Sequence, residues 1–294
     1  MKIIIGIPAF NEEKNIAPLI LKMKEKQFDI IVCDDGSTDK TADIVDALGI
    51  RLIKHEKNQG YGASIKSIFE EAKKLEADFL VTFDADGQHQ ISDISEVLKP
   101  LRDEKADIVI GSRFKGEAKD IPKYRKIGIK TITELTNAMT GSKMSDAQSG
   151  FRAYNKKALN QILISEEGMG VSTEILIKAI KNEMEIIEVP ITITYEGNVP
   201  SQTPVKQGIS VILSTVKHVA IKRPLTYYGI PGVIATIVGI FFSAWTIQRF
   251  SSEGEFFTNI ALIGISGIIF GAILLITGTI LFSIVTVMRE NNKK

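Results

Sequence analysis

Short apolar runs alternate with longer amphipathic stretches through the first part of the chain. "KIIIGIP", "FDIIVC", "IRLIKH", "DFLVTF" and "ADIVIGS" read as buried strands of a mostly parallel sheet. Between them, apolar positions recur at helical spacing. Leu19, Ile20, Met23 and Lys24 mark the first helix. Ile44, Val45 and Leu48 mark the second, with Ser37 or Thr38 as its cap. Ile65, Ile68, Phe69 and Ala72 mark the third. Ile94, Val97, Leu98 and Leu101 mark the fourth, with Asp93 and Glu96 spaced as a capping box. Strand and helix in alternation predict a doubly wound α/β sheet, whose ligands bind beyond the carboxyl ends of the strands. Further on, residues 113–130 are basic and irregular and read as a mobile segment leading to a helix over Thr131 to Met139. A helix over Ser172 to Asn182 and a strand in "MEIIEVPITITY" follow.

The pattern changes in the last fifth. Tyr227 to Ile247 and Phe256 to Met288 carry no charge, and each is long enough to cross a hydrocarbon core of about 30 Å. We expect spans at 227–248 and 258–288. Just before them, Val205, Ile209, Ile212, Leu213, Val216 and Ala220 fall on one helical face. Such a juxtamembrane helix, within 204–226, either lies in the membrane interface or packs on the preceding domain. Lys217, Lys222 and Arg223 precede the first span; Arg289, Lys293 and Lys294 follow the second. The connecting "RFSSEGEFFTN" has one Arg and two Glu. The positive-inside rule then predicts a hairpin with both termini cytoplasmic. "MKIIIGIPAFNEE" is not a signal peptide, because its apolar run breaks at Pro8 and Asn11.

Composition adds little beyond exclusions. The formal net charge is +1, so no nucleic acid is expected as a partner. Cys33 is the only cysteine, so no intrachain disulfide can form.

The chemistry should lie in five strand-end loops: "PAFNEE", "DDGSTD", "KNQGYG", "DADGQH" and "GSRFKG". In "DADGQH", Asp84, Asp86 and the Gln88 amide alternate along an extended turn, so Asp86 and Gln88 can chelate one hard cation while Asp84 faces the same side. The turn is equally readable as an acidic loop without metal. His89 reads as support rather than ligand. Asp34 and Asp35 end the second strand, where a carboxylate can accept from a base N–H or ribose hydroxyls. Pro8, Phe10 and Glu12 can wall a base, and Gly60 and Gly62 permit close backbone approach. Neither a dinucleotide fingerprint nor a G-x-x-x-x-G-K-[ST] loop is present.

"IPAFNEE", "VCDDGSTDKT", "NQGYGAS", "FDADGQH", "GSRF" and "DAQSGFRAY", in this order, resemble the family-two glycosyltransferases of GT-A fold. More narrowly, they resemble the polyprenyl-phosphate (dolichyl-phosphate) mannosyl, glucosyl and N-acetylglucosaminyl transferases. The resemblance covers about residues 1–200 and implies a GT-A, Rossmann-like catalytic domain over 1–203 followed by the transmembrane hairpin. It implies transfer from a UDP- or GDP-sugar to a polyprenyl phosphate, with Mg²⁺ or Mn²⁺ as cofactor and inversion at the anomeric carbon. Pro8, Phe10, Glu12, Asp34, Asp35, Asp84, Ala85, Asp86 and Gln88 would hold the nucleotide-sugar, with Asp86 and Gln88 on the metal. Arg113 would meet the lipid phosphate or the sugar diphosphate, and Arg125 would belong to the acceptor loop. Asp146, Gly150, Phe151 and Arg152 would shape the acceptor side, Arg152 equally as a structural ion-pair partner. One departure concerns "YEGNVPSQTPVKQG", which replaces the basic segment of mannosyl and glucosyl members; Lys206, or Lys222 and Arg223, would supply those contacts instead. The alternatives are a processive synthase, which would carry Q-x-x-R-W where this chain has only Trp245, and a non-catalytic nucleotide-sugar binder. Self-association through the spans into a homo-oligomer is compatible with the pattern.

Overall fold

The structure is a computed structural model and describes residues 1–116, 123–193, 224–254 and 257–291. The chain divides into two compact units, Met1–Ser214 and Thr215–Lys294.

In the first unit, β1 (Ile3–Ala9), β2 (Asp29–Asp34), β3 (Arg51–Lys54), β4 (Phe79–Thr82), β5 (Ile108–Ser112), β6 (Arg152–Asn155) and β7 (Ile186–Pro190) form one sheet in the order β3-β2-β1-β4-β6-β5-β7. All neighbours are parallel except the two pairings of β6, which runs antiparallel to both β4 and β5. Two reversals cancel, so β5 still runs with β4, and the carboxyl ends of β1, β2, β4, β5 and β7 share one edge. β6 starts at that edge, with Arg152 opposite both Thr82 and Ile110. The sequence pattern did not announce this strand. "RAYN" is short and half polar, and its burial comes from its neighbours rather than from an apolar run.

The strands separate two apolar layers, as alternation along a strand requires. Ile5 and Ile7 pack with α1 (Ile16–Glu25), α2 (Thr41–Ala47) and α4 (Ile94–Arg102). Ile4, Ile31 and Cys33 face α3 (Tyr61–Lys74), α6 (Lys156–Gln161) and α7 (Val171–Lys181). The core positions expected for α3 and α4 are all buried. On α1, Ile16, Leu19, Ile20 and Met23 are buried, but Lys24 is exposed and its Nζ donates to the Leu48 carbonyl at 2.7 Å.

The expected helix caps are corrected in two places. Ser37 and Thr38 do not cap α2. They bind Asn11 instead, and Asp39 accepts from the Thr41 N–H at 2.9 Å. Asp93 makes no capping bond to α4, because its carboxylate accepts the Thr192 N–H at 2.7 Å, beyond β7. In both cases a distant partner displaces the local one. The helix expected over 131–139 is α5 (Lys123–Thr140), so much of the basic segment is helical. Its buried face is Ile132, Thr133 and Thr136, while Ile127 is exposed. The Thr136 hydroxyl donates to the Ile132 carbonyl at 2.8 Å, which lets a polar residue sit in the interior.

In the second unit, a π-helical turn (Leu225–Gly229) leads into α8 (Ile230–Glu253), which ends at Gly254 in the left-handed region, φ 71°. α9 (Thr258–Asn291) follows. Leu225–Ser252 and Thr258–Val285 have mean hydropathies of 1.9 and 2.6, and only 17% and 11% of their most apolar windows are buried. Both are long and apolar enough to cross a membrane, and their exposure is opposite to that of core helices in a soluble protein. They meet through small residues. A β-carbon on Gly239 would lie 2.5 Å from the Ile268 nitrogen, and one on Gly232 3.0 Å from the Gly271 carbonyl oxygen. Close backbone approach of this kind is how apolar helices associate without a hydrophobic drive. The expected helix within 204–226, with Lys206, Lys222 and Arg223, lies outside the described residues apart from its last positions.

Two glycines test the packing. A β-carbon on Gly6 would run into the Ile68 side chain between β1 and α3, whereas one on Gly128 in α5 meets open space. Gly6→Ala should lower stability by about 1–3 kcal/mol. Gly128→Ala should leave it equal or raise it by about 0.5–1 kcal/mol. Thermal unfolding of the two variants in detergent reads the contrast.

Candidate active site

The strand-end loops are stitched to one another along the edge. Asn11, at φ 57°, accepts the Thr38 N–H on its side chain at 2.8 Å and donates its own N–H to Ser37 Oγ at 2.9 Å. The Glu12 N–H donates to Thr41 Oγ1 at 2.8 Å. These bonds lock "PAFNEE" to "DDGSTD". From the second loop, Asp35 accepts the Gln59 and Gly60 N–H groups at 2.9 and 2.8 Å, which locks on "KNQGYG". From there Tyr61 donates its hydroxyl to Asp84 Oδ1 at 3.1 Å and reaches "DADGQH".

The paired aspartates at the end of β2 differ in their surroundings. Asp35 is nearly enclosed, with His55 Nδ1 2.7 Å from Oδ1 in addition to the two backbone donors. His55 is held in turn by Ser67 Oγ, 3.0 Å from Nε2. Asp34 is fully buried, and its Oδ1 has no hydrogen-bond partner. An orphaned buried acceptor is uncommon in a folded protein and calls for an explanation. Beneath them the Cys33 thiol is pushed up to about 12 by burial, which leaves it unreactive.

Gly60 and Gly62 do allow close approach, but the approaching chain is the protein's own. β-carbons there would meet the backbone of Glu166–Gly168, and Ala63 N donates to the Glu167 carbonyl at 3.1 Å. The bonds seat the start of α3 and so place Tyr61. Glu174 holds the same loop, accepting the Ser165 and Glu166 N–H groups.

Asp84 is clamped from three sides. Besides Tyr61, His89 Nε2 lies 3.6 Å from Oδ2. Gly150 closes the third side, where a β-carbon would sit 2.5 Å from Asp84 Oδ2 and 2.6 Å from the Tyr61 hydroxyl. Burial would raise the Asp84 carboxyl. The His89 and Tyr61 contacts and the Arg113 charge outweigh it and hold the group below the usual carboxylate range. His89 is fixed edge-on between Phe83 and Phe151, with ring centroids at 5.6 and 5.2 Å, and its backbone bridges to Ile193. Ala85 is buried, and Asp86 Oδ1 accepts the Gln88 N–H at 3.0 Å, which shapes the turn. Gln88 is half-buried beside it. Glu12 reports the local field: burial and the charges of Asp86, Asp39 and Asp84 raise its carboxyl against the opposing Asn15 hydrogen bond. Pro8 is buried in β1 one residue before the strand ends at Ala9, and Phe10 is half-buried after it.

On the other flank, Arg113 Nε and Nη2 both donate to the fully buried Asp146 at 2.6 Å, and the Arg113 N–H adds a third bond at 3.1 Å. Arg152 is 1% exposed, and its guanidinium donates to the carbonyls of Ala147, Ser149 and Ser172. The structural ion pair expected for it is corrected: among the described residues its partners are carbonyls, and it moulds the "DAQSG" turn. Arg125 falls in the first turn of α5, with its side chain outside the described residues. Tyr61, His55 and Glu188 were not expected at the site. For Glu188 the one signal was a charge inside the apolar strand "EIIEVP".

Among the described residues no group of three or more His, Cys, Asp or Glu side chains is arranged to hold a metal. A Mg²⁺-type ion needs fewer, since it takes one or two carboxylates and completes its shell with phosphate oxygens and water. Asp86 and Gln88 are hard oxygen donors of that kind, with the charges of Glu12 and Asp84 nearby. The residues present therefore fit such an ion.

Residues 4–163 match the family model described as Glycosyl transferase family 2. The chain belongs to glycosyl transferase family 2. Its relatives include the UDP-N-acetylglucosamine–dolichyl-phosphate N-acetylglucosaminyltransferase of Methanococcus voltae, 36% identical across 70% of this chain and 91% of that protein. The polyprenol monophosphomannose synthase of Mycolicibacterium smegmatis is 29% identical across 65% and 77%. Among solved structures, glucosyl-3-phosphoglycerate synthase from Mycobacterium tuberculosis, in complex with Mn²⁺, UDP and phosphoglyceric acid, superposes with a TM-score of 0.59 at 20% identity. It covers 74% of this chain and 78% of that one, and the shared architecture is the GT-A fold. In this family-two chain the matched region contains all five strand-end loops, while Glu174 and Glu188, which hold turns beside them, lie beyond it.

The lowered Asp84 carboxyl contributes stability that is present above its unfolded value of about 4 and lost as pH falls through the lower folded value. Asp84→Asn should therefore flatten the acid limb of a stability–pH curve. Tyr61→Phe should move the Asp84 titration upward in carboxyl-selective NMR. An unmoved titration would show that the hydroxyl does not support the carboxylate.

Proposed function

We propose that this protein transfers a sugar, with inversion, from a nucleotide-diphosphate sugar to a polyprenyl phosphate at the cytosolic membrane face. The carrying observation is the strand edge itself, where an orphaned buried acceptor on Asp34 shares one edge with the Asp84–Asp86 turn and Arg113. Similarity to transferases named for lipid-phosphate acceptors supports the acceptor class, and the two apolar helices supply a reason for the protein to be at a membrane.

In this reading, Asp34 Oδ1 accepts an N–H of the base or a ribose hydroxyl, and Phe10 walls the base. Asp35 keeps the neighbouring loop in place through Gln59 and Gly60. Asp84, held ionised and immobile, faces the ribose–diphosphate side. Asp86 and Gln88 hold Mg²⁺ or Mn²⁺, which when bound neutralises charge on the leaving diphosphate. Arg113 draws in the acceptor phosphate, its guanidinium plane set by Asp146. Arg125 and Lys206 are further candidates for the acceptor side. A phosphate monoester is ionised near neutral pH, so the chain needs to position it and offset its repulsion from the donor, not deprotonate it. The basic flanks of the spans support cytoplasmic termini.

The decisive assay uses purified full-length protein in detergent, a short polyprenyl phosphate and a divalent metal against a panel of UDP- and GDP-sugars. Product is expected with at least one donor, and none with any donor would sink the proposal. Asp86→Ala should reduce transfer on the order of a hundredfold or more, the scale of losing one electrostatic stabiliser. Undiminished transfer would remove Asp86 from the metal.

A further inference from the structure

A carboxylate inside a strand is costly unless its oxygens are fully engaged. Glu188 sits mid-strand in β7, opposite Ile110 of β5, and its side chain is 6% exposed. Its flanking residues Ile187 and Val189 pack on the core, so nothing in the strand itself asks for a charge. The carboxylate is directed at one turn. Oε1 accepts the Ser145 N–H at 2.9 Å and the Asp146 N–H at 2.8 Å. Oε2 accepts the Ser145 N–H at 3.0 Å and its hydroxyl at 2.9 Å, and Lys115 Nζ pairs with it at 3.3 Å. Ser145 Oγ also lies 2.7 Å from Ser112 Oγ, just before Arg113.

These contacts converge on the residue that aims Arg113. Asp146 grips the guanidinium at two nitrogens, so rotation of the Asp146 backbone would swing the plane of the arginine. Glu188 fixes that backbone by accepting the Asp146 N–H on its carboxylate. We propose that Glu188 is a positioning residue for the transfer reaction, holding the Ser145–Asp146 turn so that Arg113 presents its guanidinium to the acceptor phosphate. The inference rests on the phosphate reading of Arg113 given above. Glu188 touches neither substrate; it acts through Asp146. Lys115 neutralises its charge from the solvent side, which keeps the negative potential of the carboxylate from reaching an incoming phosphate.

Two readouts test this on the full chain in detergent. The first needs no turnover: proton exchange at Arg113 Nε–H, followed by NMR. Exchange should be slow in the wild type and at least about tenfold faster in Glu188→Gln, since an amide cannot accept from both N–H groups and the hydroxyl at once. Unchanged exchange would overturn the proposal. The second is a kinetic cycle with Arg113→Ala, using whichever nucleotide-sugar supports transfer. Glu188→Gln should lower kcat/KM for polyprenyl phosphate by about ten- to a hundredfold with donor KM within about twofold. The double variant should be no worse than Arg113→Ala alone. Additive losses, or equal losses toward donor and acceptor, would overturn the positioning role. If Arg113→Ala leaves acceptor kinetics intact while exchange still responds to Glu188, the phosphate reading fails and the structural coupling stands. Should Glu188→Gln fail to fold, Ser145→Ala removes only the hydroxyl contacts, and faster Nε–H exchange is again expected; wild-type exchange there would count against the proposal.

Discussion

Between β4 and β5 the sheet takes in a strand running the other way, and the arrangement of the site follows from that insertion. β6 must enter at the edge where its antiparallel neighbours leave, so the turn before it, "DAQSG", is delivered among their loops. Thr82 Oγ1, at the end of β4, donates to the Gly150 carbonyl at 2.7 Å and fixes the turn's height. Gly150 then closes on Asp84, where no side chain would fit. Asp146 reaches Arg113 after β5, and Arg152 gathers three carbonyls so that the turn keeps its shape. A sheet with β4 and β5 as direct neighbours would have no element placed to join those contacts.

The charges buried along this edge have a common logic. Asp35, Asp146, Glu174 and Glu188 each accept backbone N–H groups from a loop that supports another residue of the edge. A buried charge is several kcal/mol less favourable than a solvated one before compensation, and it adds little net stability even when paired. Here the return is geometric: irregular backbone is held as firmly as a strand. Asp34 departs from the pattern, since one of its oxygens is buried without a partner. On the proposed reading, that oxygen is one a bound nucleoside would satisfy.

Legibility in the sequence divided along a physical line. Where burial is achieved by aliphatic side chains at regular spacing, as in β1, β2, α3 and α4, the pattern was sufficient. It failed where burial is achieved by hydrogen bonding. β6 is a strand with a buried arginine, and α5 buries threonines while exposing Ile127. The caps failed for a related reason: Ser37, Thr38 and Asp93 carry the right groups but find stronger partners far away in sequence. The order of the loop motifs identified the family without any of this geometry. What the motifs did not carry was the division of labour between Asp34 and Asp35, or the supports at Tyr61, His55 and Glu188, because those depend on residues outside each motif.

On the proposed reading, the layout of charge suits the edge to a reaction between two phosphates. Donor diphosphate and acceptor phosphate repel each other, so a site that brings them together must separate its own negative and positive residues. Glu12, Asp84 and Asp86 gather at the ends of β1 and β4, while Arg113 stands at the end of β5, with β6 between β4 and β5. Arg113 is close enough to help keep Asp84 ionised, yet its guanidinium is directed by Asp146. An arginine simply attracted to the acidic turn would collapse onto Asp84 or Asp86 and cancel the charge that a cation needs. The buried Asp146 prevents this by offering a bidentate partner from the opposite side. On the proposed reading, the antiparallel strand therefore does more than carry residues to the edge: it keeps the acidic metal-binding turn and the phosphate-binding arginine apart until substrates lie between them.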